Sequence, residues 1–364
     1  MRLSPTLSLY MGRQYLLSIG LVFLLVILTI LIADTIELLR RASGPDKTVT
    51  LETVLQMASL HVPFMAQKAL PFVVLVGGIV TFAKMTRSRE LVVARAAGVS
   101  VWQFILPVLV IAALLGGVFM TVVNPLASAT TSRFEQMDVT HLRGKSSLLE
   151  LSKSGIWLRQ GDSEGQSVIH AERVDQETMT LYDTIIFLYE QEDQFVGRID
   201  AAQARLGEGY WRLEDALFSA PGEPARHREQ ADVPTDLTPE RIQNSFSPPE
   251  TLSFWALPGF IEVLEESGFS SVKHRLHWHS LLAGPLLLCA MVLIAATFAL
   301  RFTRRGTWVL VLGGLLAGFL FYFVSDLVLA LGLSGKLPPL LAAWTPAGIF
   351  TLLGVAGLFH LEDG

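Results

Sequence analysis

The chain has 364 residues, of which 51% are hydrophobic and 17% charged, far from the balance of a soluble domain of this length, so it reads as an integral membrane protein. Its net charge of -5 hides a division: Ser128–Glu250 carries 22 acids against 12 basic residues, and the rest is net positive. That contrast separates an acidic soluble domain from a membrane part. The single cysteine, Cys289, excludes an intrachain disulfide framework and thiolate metal clusters.

Arg2 and Arg13 stand ahead of a long apolar run, as in a secretory signal. The run is too long for a signal core and lacks a small-residue cleavage site, so it is expected to be the first transmembrane helix. The first span is Tyr15–Ala33, which at about 1.5 Å per residue covers roughly 30 Å of hydrocarbon. Its helical pattern continues through Asp34, Glu37, Arg40 and Arg41, with Glu37 and Arg41 at the favourable acid-before-base spacing. Gly44-Pro45-Asp46 then predicts a turn. Leu51–His61 is an amphipathic lead-in to a second span, Val62–Ala83, with Pro63, Pro71 and the pair Gly77-Gly78 inside it.

Between the second and third apolar runs lies a short polar elbow, Lys84–Trp102. Its composition predicts a short helix over Glu90–Ala97, started by a cap at Ser88 and stopped at Gly98. With Arg87, Arg89, Glu90 and Arg95 around it, such a helix suits docking into a groove on a soluble partner. An ordinary basic cytoplasmic loop is the plainer reading of the same composition.

The third span, Gln103–Val123, is expected to end at Asn124-Pro125. From Leu148 the pattern becomes short β-type stretches: Gly155–Arg159, Ser167–Val174, Thr180–Tyr189, Gln194–Ala204 and Tyr210–Ser219. Their spacing fits an inserted all-β sandwich or jelly roll. The tail Pro221–Pro249, rich in proline and charge, allows edge strands and linker at most. Helical periodicity returns over Thr251–Ser267, with Phe254, Leu257, Phe260, Ile261 and Leu264 on one face, and this helix is placed at the membrane surface. The remaining spans are Leu281–Leu300, Trp308–Leu331 and Leu340–Leu358.

Lysine and arginine near the span ends set the orientation. Arg2, Arg13, Lys84, Arg87, Arg89, Arg95, Arg301, Arg304 and Arg305 fall on one side. Arg40, Arg41, Lys47 and Lys336 fall on the other, joined by Arg133, Lys273 and Arg275 at the flanks of the insert. Both termini and the elbow are therefore expected to be cytoplasmic, and the β domain extracytoplasmic.

Tests for chemistry give little. Gly144-Lys145-Ser146 lacks the earlier glycine of a phosphate-binding loop, since Val139 stands there. Gly332-Leu333-Ser334-Gly335 imitates an intramembrane protease motif but is followed by Lys336 and Pro338-Pro339 and reads as a turn. His274, His277 and His279 cluster before the fourth span without a cysteine pair or HExxH pattern, so anchoring at the membrane boundary with Trp278 is the plainer reading than zinc.

Two features of the spans stand out. Asp326 lies inside the fifth, where an ionised carboxylate normally faces a cavity or partner unless it sits solvated at the interface. Gly314 and Gly318 make a smooth face for helix packing. Arg40, Arg41 and Arg133 all lie near the outer boundary. Facing inward, their planar forks would suit a phosphorylated lipid headgroup, while snorkelling to the interface is the plainer reading of each alone.

Three spans, an external β domain, three more spans and the elbow segment SRELVVARAAGVS resemble the permeases of the lipopolysaccharide export ABC transporter, the LptF/LptG family, over essentially the whole chain. LYMGRQYL and ADTIELLRRAS look more like the LptG branch than the LptF branch. The resemblance implies an α-helical integral membrane protein with six transmembrane helices and an inserted periplasmic all-β, jellyroll-like domain. Residues 1–127 would hold helices one to three with a coupling helix at 88–98, residues 128–250 the β domain and its linkers, and 251–364 an interfacial helix and helices four to six.

It also implies location in the bacterial inner membrane and a heterodimer with an LptF-like permease. An LptB-like ATPase dimer would grip the elbow and an LptC-like anchored protein would pass lipopolysaccharide onward. No nucleic acid is expected as a partner. The chain itself would be no enzyme and bind no cofactor, ATP and magnesium residing on the ATPase. Arg87, Arg89, Glu90 and Arg95 would form the ATPase contact, and Arg40, Arg41 and Arg133 would lie near the lipid's phosphates. Asp34, where relatives can carry a basic residue, is the one departure and bears on that single headgroup contact.

Two further classes compete with lipid extraction. One is a membrane subunit that couples ATP hydrolysis to a periplasmic process without conducting lipid, and the other is an intramembrane hydrolase, which lacks a nucleophile and base pair. Large apolar residues facing a cavity between spans one and five would favour extraction. For the β domain, Ile156, Trp157, Ile185, Phe187, Phe195 and Trp211 are expected to line an open groove for acyl chains.

Overall fold

The computed structural model describes residues 5–42, 49–96, 98–143, 149–152, 155–161, 166–175, 178–190, 194–207, 209–235, 237–238, 247–266, 269–302 and 307–362. Arg2, Gly44-Pro45-Asp46, Lys47, Gly144-Lys145-Ser146, Arg304 and Arg305 lie outside them. The chain divides into two compact units: Met1–Arg143 with Pro249–Leu257 and Val272–Gly364, and Gly144–Pro248 with Pro258–Ser271.

Six helical stretches of the first unit are long and apolar enough to cross a membrane. Helix α1 is Pro5–Ala42, so the first span does continue through Arg40 and Arg41. Helix α2, Leu51–Arg87, merges the lead-in and second span, with Thr50 capping its start. Helix α3 is Glu90–Ala96, α4 Val101–Val118 and α5 Asn124–Asp138.

Asn124-Pro125 does not end the third span as expected. A π-helical turn at Phe119–Val123 carries the helix into α5, with Pro125 in α5's first turn, where a missing N–H costs least. The wider turn absorbs the proline, which periodicity alone does not reveal. The same unit closes with α7, Val272–Phe302, α8, Thr307–Leu333, and α9, Pro339–Glu362, whereas the preceding α6, Leu257–Glu266, falls almost wholly in the second unit. Ser334 and Gly335 form the turn after α8, with Gly335 at φ 73°.

Between apolar helices in lipid, water supplies no driving force, so close van der Waals contact has to. The glycines supply it. A Cβ on Gly77 would stand 2.8 Å from Ile19 on α1, and one on Gly78 would stand 2.7 Å from Ala295 on α7. Adjacent glycines thus let α2 approach two helices. On α8, Gly314 and Gly318 give the smooth face expected of them, meeting Ile79 and Phe72 of α2 at 2.6 and 2.8 Å from the built Cβ. Tyr15, Phe82, Ile105 and Met291 lie buried at the centre of this core.

The second unit is a seven-stranded antiparallel meander, each strand bonded to the next: β1 Leu149–Ser152, β2 Gly155–Gly161, β3 Gln166–Asp175, β4 Thr180–Glu190, β5 Gln194–Leu206, β6 Tyr210–Ser219 and β7 Arg226–Pro234. The all-β reading and five of its strands follow the sequence pattern. The crossed order that defines a jelly roll is absent from the described pairings, and β7 is the edge strand within the proline-rich tail.

Strict alternation breaks along one line. Buried positions run Ile169, Ala171, Val174 on β3, Ile186, Thr184, Leu181 on β4, and Ile199, Ala201, Ala204 on β5, skipping one residue too many in each. On β6 the sequence is Ala216, Leu213, Trp211. The skipped row contains Asp183 and Asp215, at φ 51° and 54°. Aspartate tolerates the left-handed region better than most residues, so a kink crosses four strands without loss of register.

The inner face is a closed core. Ile156 and Trp211 are fully buried in it, and Leu264 and Phe269, from α6 and the segment after it, belong to the same cluster. The groove expectation therefore fails on two counts. The six proposed lining residues do not share a face: Trp157 stacks near Phe187 on the opposite side, ring centroids 6.5 Å apart, and Phe195 is exposed. Neighbours in a strand such as Ile156 and Trp157 point to opposite faces. Two residues of the apolar stripe of α6, Leu264 and Phe260, pack against the sheet.

Candidate functional site

At the elbow, α2 ends at Arg87 and Ser88 is its C-cap, its Oγ donating to the carbonyl oxygens of Lys84 and Met85. Ser88 thus satisfies orphan carbonyls of the preceding helix instead of starting the next one. The reversal is made by Arg89 at φ 59°, a conformation that costs a non-glycine residue about 1–2 kcal/mol. Helix α3 spans seven residues, and Gly98, at φ 82°, follows its end as expected.

Ser100 and Gln103 form a reciprocal capping box that starts α4. Arg87 and Arg89 are exposed, Glu90 is half-buried, and Val93 is 68% exposed. Arg95 lies on α3, its side chain outside the described residues. The elbow therefore presents a short helix between the C-cap of α2 and the capping box of α4, with Val93 exposed on it and Arg89 exposed immediately before it.

At the other end of the bundle, Leu38 of α1, Val54, Met57 and Ala58 of α2 and Phe134 of α5 form a separate buried cluster. It gathers the helix ends that carry Arg40, Arg41 and Arg133, all three exposed. Neither Arg40 nor Arg41 is free. Arg40 grips Glu37 with Nε and Nη2, each 2.9 Å from a carboxylate oxygen, and Arg41 Nε reaches the same carboxylate at 2.9 Å. A phosphate arriving here competes with Glu37 for both forks.

Sequence reasoning missed His61. Its Nδ1 lies 3.0 Å from Asp34 Oδ2, tying α1 to α2, and its ring stacks on Phe134 with centroids 4.5 Å apart. The two residues are 27 positions apart on different helices. The only available sequence signal was a lone polar group on each otherwise apolar run. Asp34 is thus a helix-to-helix contact.

Asp326 on α8 is exposed. It lies 19 residues beyond Thr307, or about 28 Å along the helix, close to the roughly 30 Å hydrocarbon thickness. One turn earlier, Tyr322 donates its hydroxyl to the carbonyl oxygen of Lys68 on α2 at 3.0 Å. Asp326 therefore sits near the end of the span away from Thr307, about one hydrocarbon thickness along α8. His274, His277 and His279 lie on α7, and among the described residues no group of three or more metal-ligating side chains is placed to hold an ion.

Six membrane-length helices, a β domain inserted after the third and a short helix in the loop after the second define a multi-span membrane protein with a separate β domain. Comparison with known proteins is consistent with this. The chain belongs to the family described as lipopolysaccharide export system permease LptF/LptG, whose profile matches residues 9–360.

It is similar to the lipopolysaccharide export system permease protein LptG of Escherichia coli (strain K12), 26% identical over 307 residues, covering 81% of this chain and 82% of that one. It is also similar to LptG of Haemophilus influenzae, 23% identical over 357 residues and 96% of each chain. The protein is accordingly a multi-pass inner-membrane permease of lipopolysaccharide export.

Proposed function

We propose that the chain, as the LptG-type subunit, withdraws lipopolysaccharide from the outer leaflet of the inner membrane and delivers it toward a periplasmic bridge. The observation that carries this reading is the uneven packing of the bundle. The most apolar stretches of α2 and α7 are 56% buried within the chain, whereas that of α1 is 6% buried and that of α8 is 22%.

On α1, Leu21, Leu24 and Leu25 are 62–71% exposed, and on α8 Phe319 and Phe323 are 58–69% exposed. These faces have the size and polarity to meet acyl chains and a paralogous permease, which would complete a cavity that one chain alone leaves open.

An LptB-like ATPase dimer would seat on α3 and its arginines from the cytoplasm, with both chain termini on that side. The β domain would be periplasmic, next to an LptC-like protein. ATP and magnesium would stay with the ATPase.

The closed core of the β domain supports a second reading, in which this subunit transmits motion and the lipid leaves by its paralogue's domain. Co-purification with a tagged ATPase, mass spectrometry of bound lipid and ATP-dependent photocrosslinking from α1 decide the matter. Lipopolysaccharide adducts at Leu24 or Leu25 support extraction through this chain. A stable complex with no such adduct during active transport supports transmission alone.

A further inference from the structure

Inside the membrane unit, away from the arginine cluster, a cavity of about 310 Å³ lies among α2, the π-turn and α5, α7 and α8. Its volume is at the lower end of the range for small-molecule sites. The deeper wall is apolar, with Leu70, Phe119, Leu287 and Leu288. Gly284 also lines it, and a Cβ built there meets nothing within 4 Å, so the wall opens at that point.

The polar end carries Lys68, Glu250 and His277. The local amides are already committed. Asn124 donates to Gln67 at 3.4 Å and accepts from the Phe254 N–H at 2.7 Å. The three ionisable groups are less closely engaged: among the described residues neither Lys68 nor Glu250 makes an ion pair within 4.0 Å, and the buried Nε2 of His277 has no hydrogen-bond partner, the Glu250 carboxylate acting on that ring only through space.

An ammonium, a carboxylate and an unpartnered imidazole nitrogen at one end of an apolar cavity call for a ligand with matching charges. Lys68 lies 19 residues from Arg87, about 28 Å along α2, which puts that end at the outer headgroup level. We propose that this cavity binds one zwitterionic glycerophospholipid of the phosphoethanolamine type from the outer leaflet. Lys68 and the His277 Nε2–H would hold its phosphodiester, Glu250 its primary ammonium, and the apolar wall the start of one acyl chain.

An anionic phospholipid without an amine leaves Glu250 unpaired and facing phosphate. A choline headgroup has no N–H to give it. The site would set which lipid packs beside the permease, and it stands independently of whether this chain conducts lipopolysaccharide, because the test involves neither ATP nor transport.

The test is native mass spectrometry of the purified full-length chain in detergent, offered equal amounts of phosphatidylethanolamine, phosphatidylglycerol and phosphatidylcholine, with lipopolysaccharide as a fourth competitor. One phosphatidylethanolamine per chain is expected, at least tenfold preferred over the other two phospholipids. Glu250→Gln should erase the preference over phosphatidylglycerol, Lys68→Ala should reduce retention of both about tenfold, and Gly284→Leu should abolish retention by filling the cavity.

A measurement needing no variant guards against misfolding: a photoactivatable phosphatidylethanolamine should crosslink to the Ser280–Leu288 peptide of the wild-type chain and be displaced by the unlabelled lipid. Equal retention of all three phospholipids, crosslinks confined to other helices, or lipopolysaccharide as the occupant sensitive to Lys68→Ala would each overturn the proposal.

Discussion

His61 Nδ1 lies 3.0 Å from Asp34 Oδ2, and the imidazole is sandwiched between the rings of Phe64 and Phe134, at 5.7 and 4.5 Å. Three helices meet at this one side chain: α1 through Asp34, α2 through His61 and Phe64, and α5 through Phe134. Both partners are largely shielded, with side-chain exposures of 14% and 19%. The contact ties the C-terminal part of α1 to the bundle, α1 being otherwise the least packed of the six membrane-length helices.

Removing either partner should loosen that end. Asp34→Ala and His61→Ala are each expected to destabilise the purified chain by about 1–3 kcal/mol, the range for losing a shielded hydrogen bond to a charged group. The double variant should cost clearly less than the sum, since the residues act as a pair. Thermal unfolding in detergent of the four proteins measures this, and strict additivity would show that the pair is incidental.

Glu37 governs the arginine cluster. It holds both Arg40 and Arg41 through its two carboxylate oxygens. Glu37→Gln should release both forks and raise photocrosslinking of lipopolysaccharide to neighbouring positions several-fold, while Arg40→Glu with Arg41→Glu should lower it by adding repulsion. Unchanged adduct yields in both variants would leave these arginines as interfacial anchors.

At the elbow, Glu90→Lys is expected to cut lipid release per ATP at least tenfold in proteoliposomes of the assembled complex, leaving insertion intact. Glu90 opens α3 and belongs neither to the C-cap of α2 nor to the capping box of α4, so a reversed charge alters the surface of α3 without touching either. Wild-type coupling in this variant would remove α3 from the transmission path. Arg89→Gly, in contrast, should relieve the left-handed strain at φ 59° and raise thermal stability slightly.

The glycine contacts on α2 can be tested by size. Gly78→Leu places atoms where Ala295 Cβ is already 2.7 Å from a built Cβ, and should destabilise the chain by about 1–3 kcal/mol through overpacking. Gly20→Leu on α1 meets nothing within 4 Å and should be tolerated. Equal unfolding midpoints for the two would mean that α2 and α7 do not pack as closely as described.

By itself the sequence determined the six spans, the place and all-β character of the insert, five of its strands and the helix at Glu90. These features follow from runs of apolar residues, alternation and stop signals such as Gly98, which act within a few residues along the chain. Only the tertiary structure decided where polar side chains find partners. Ser88 binds the helix behind it because the carbonyls at the end of α2 lie within reach. Asp34 pairs with His61 because α1 and α2 lie side by side. The helix runs through Pro125 because a π-turn accommodates it, and the sheet's inner face is closed because α6 covers it. A hydrogen bond or a packed face between residues distant in sequence depends on a three-dimensional approach of a few ångströms, which local periodicity does not encode.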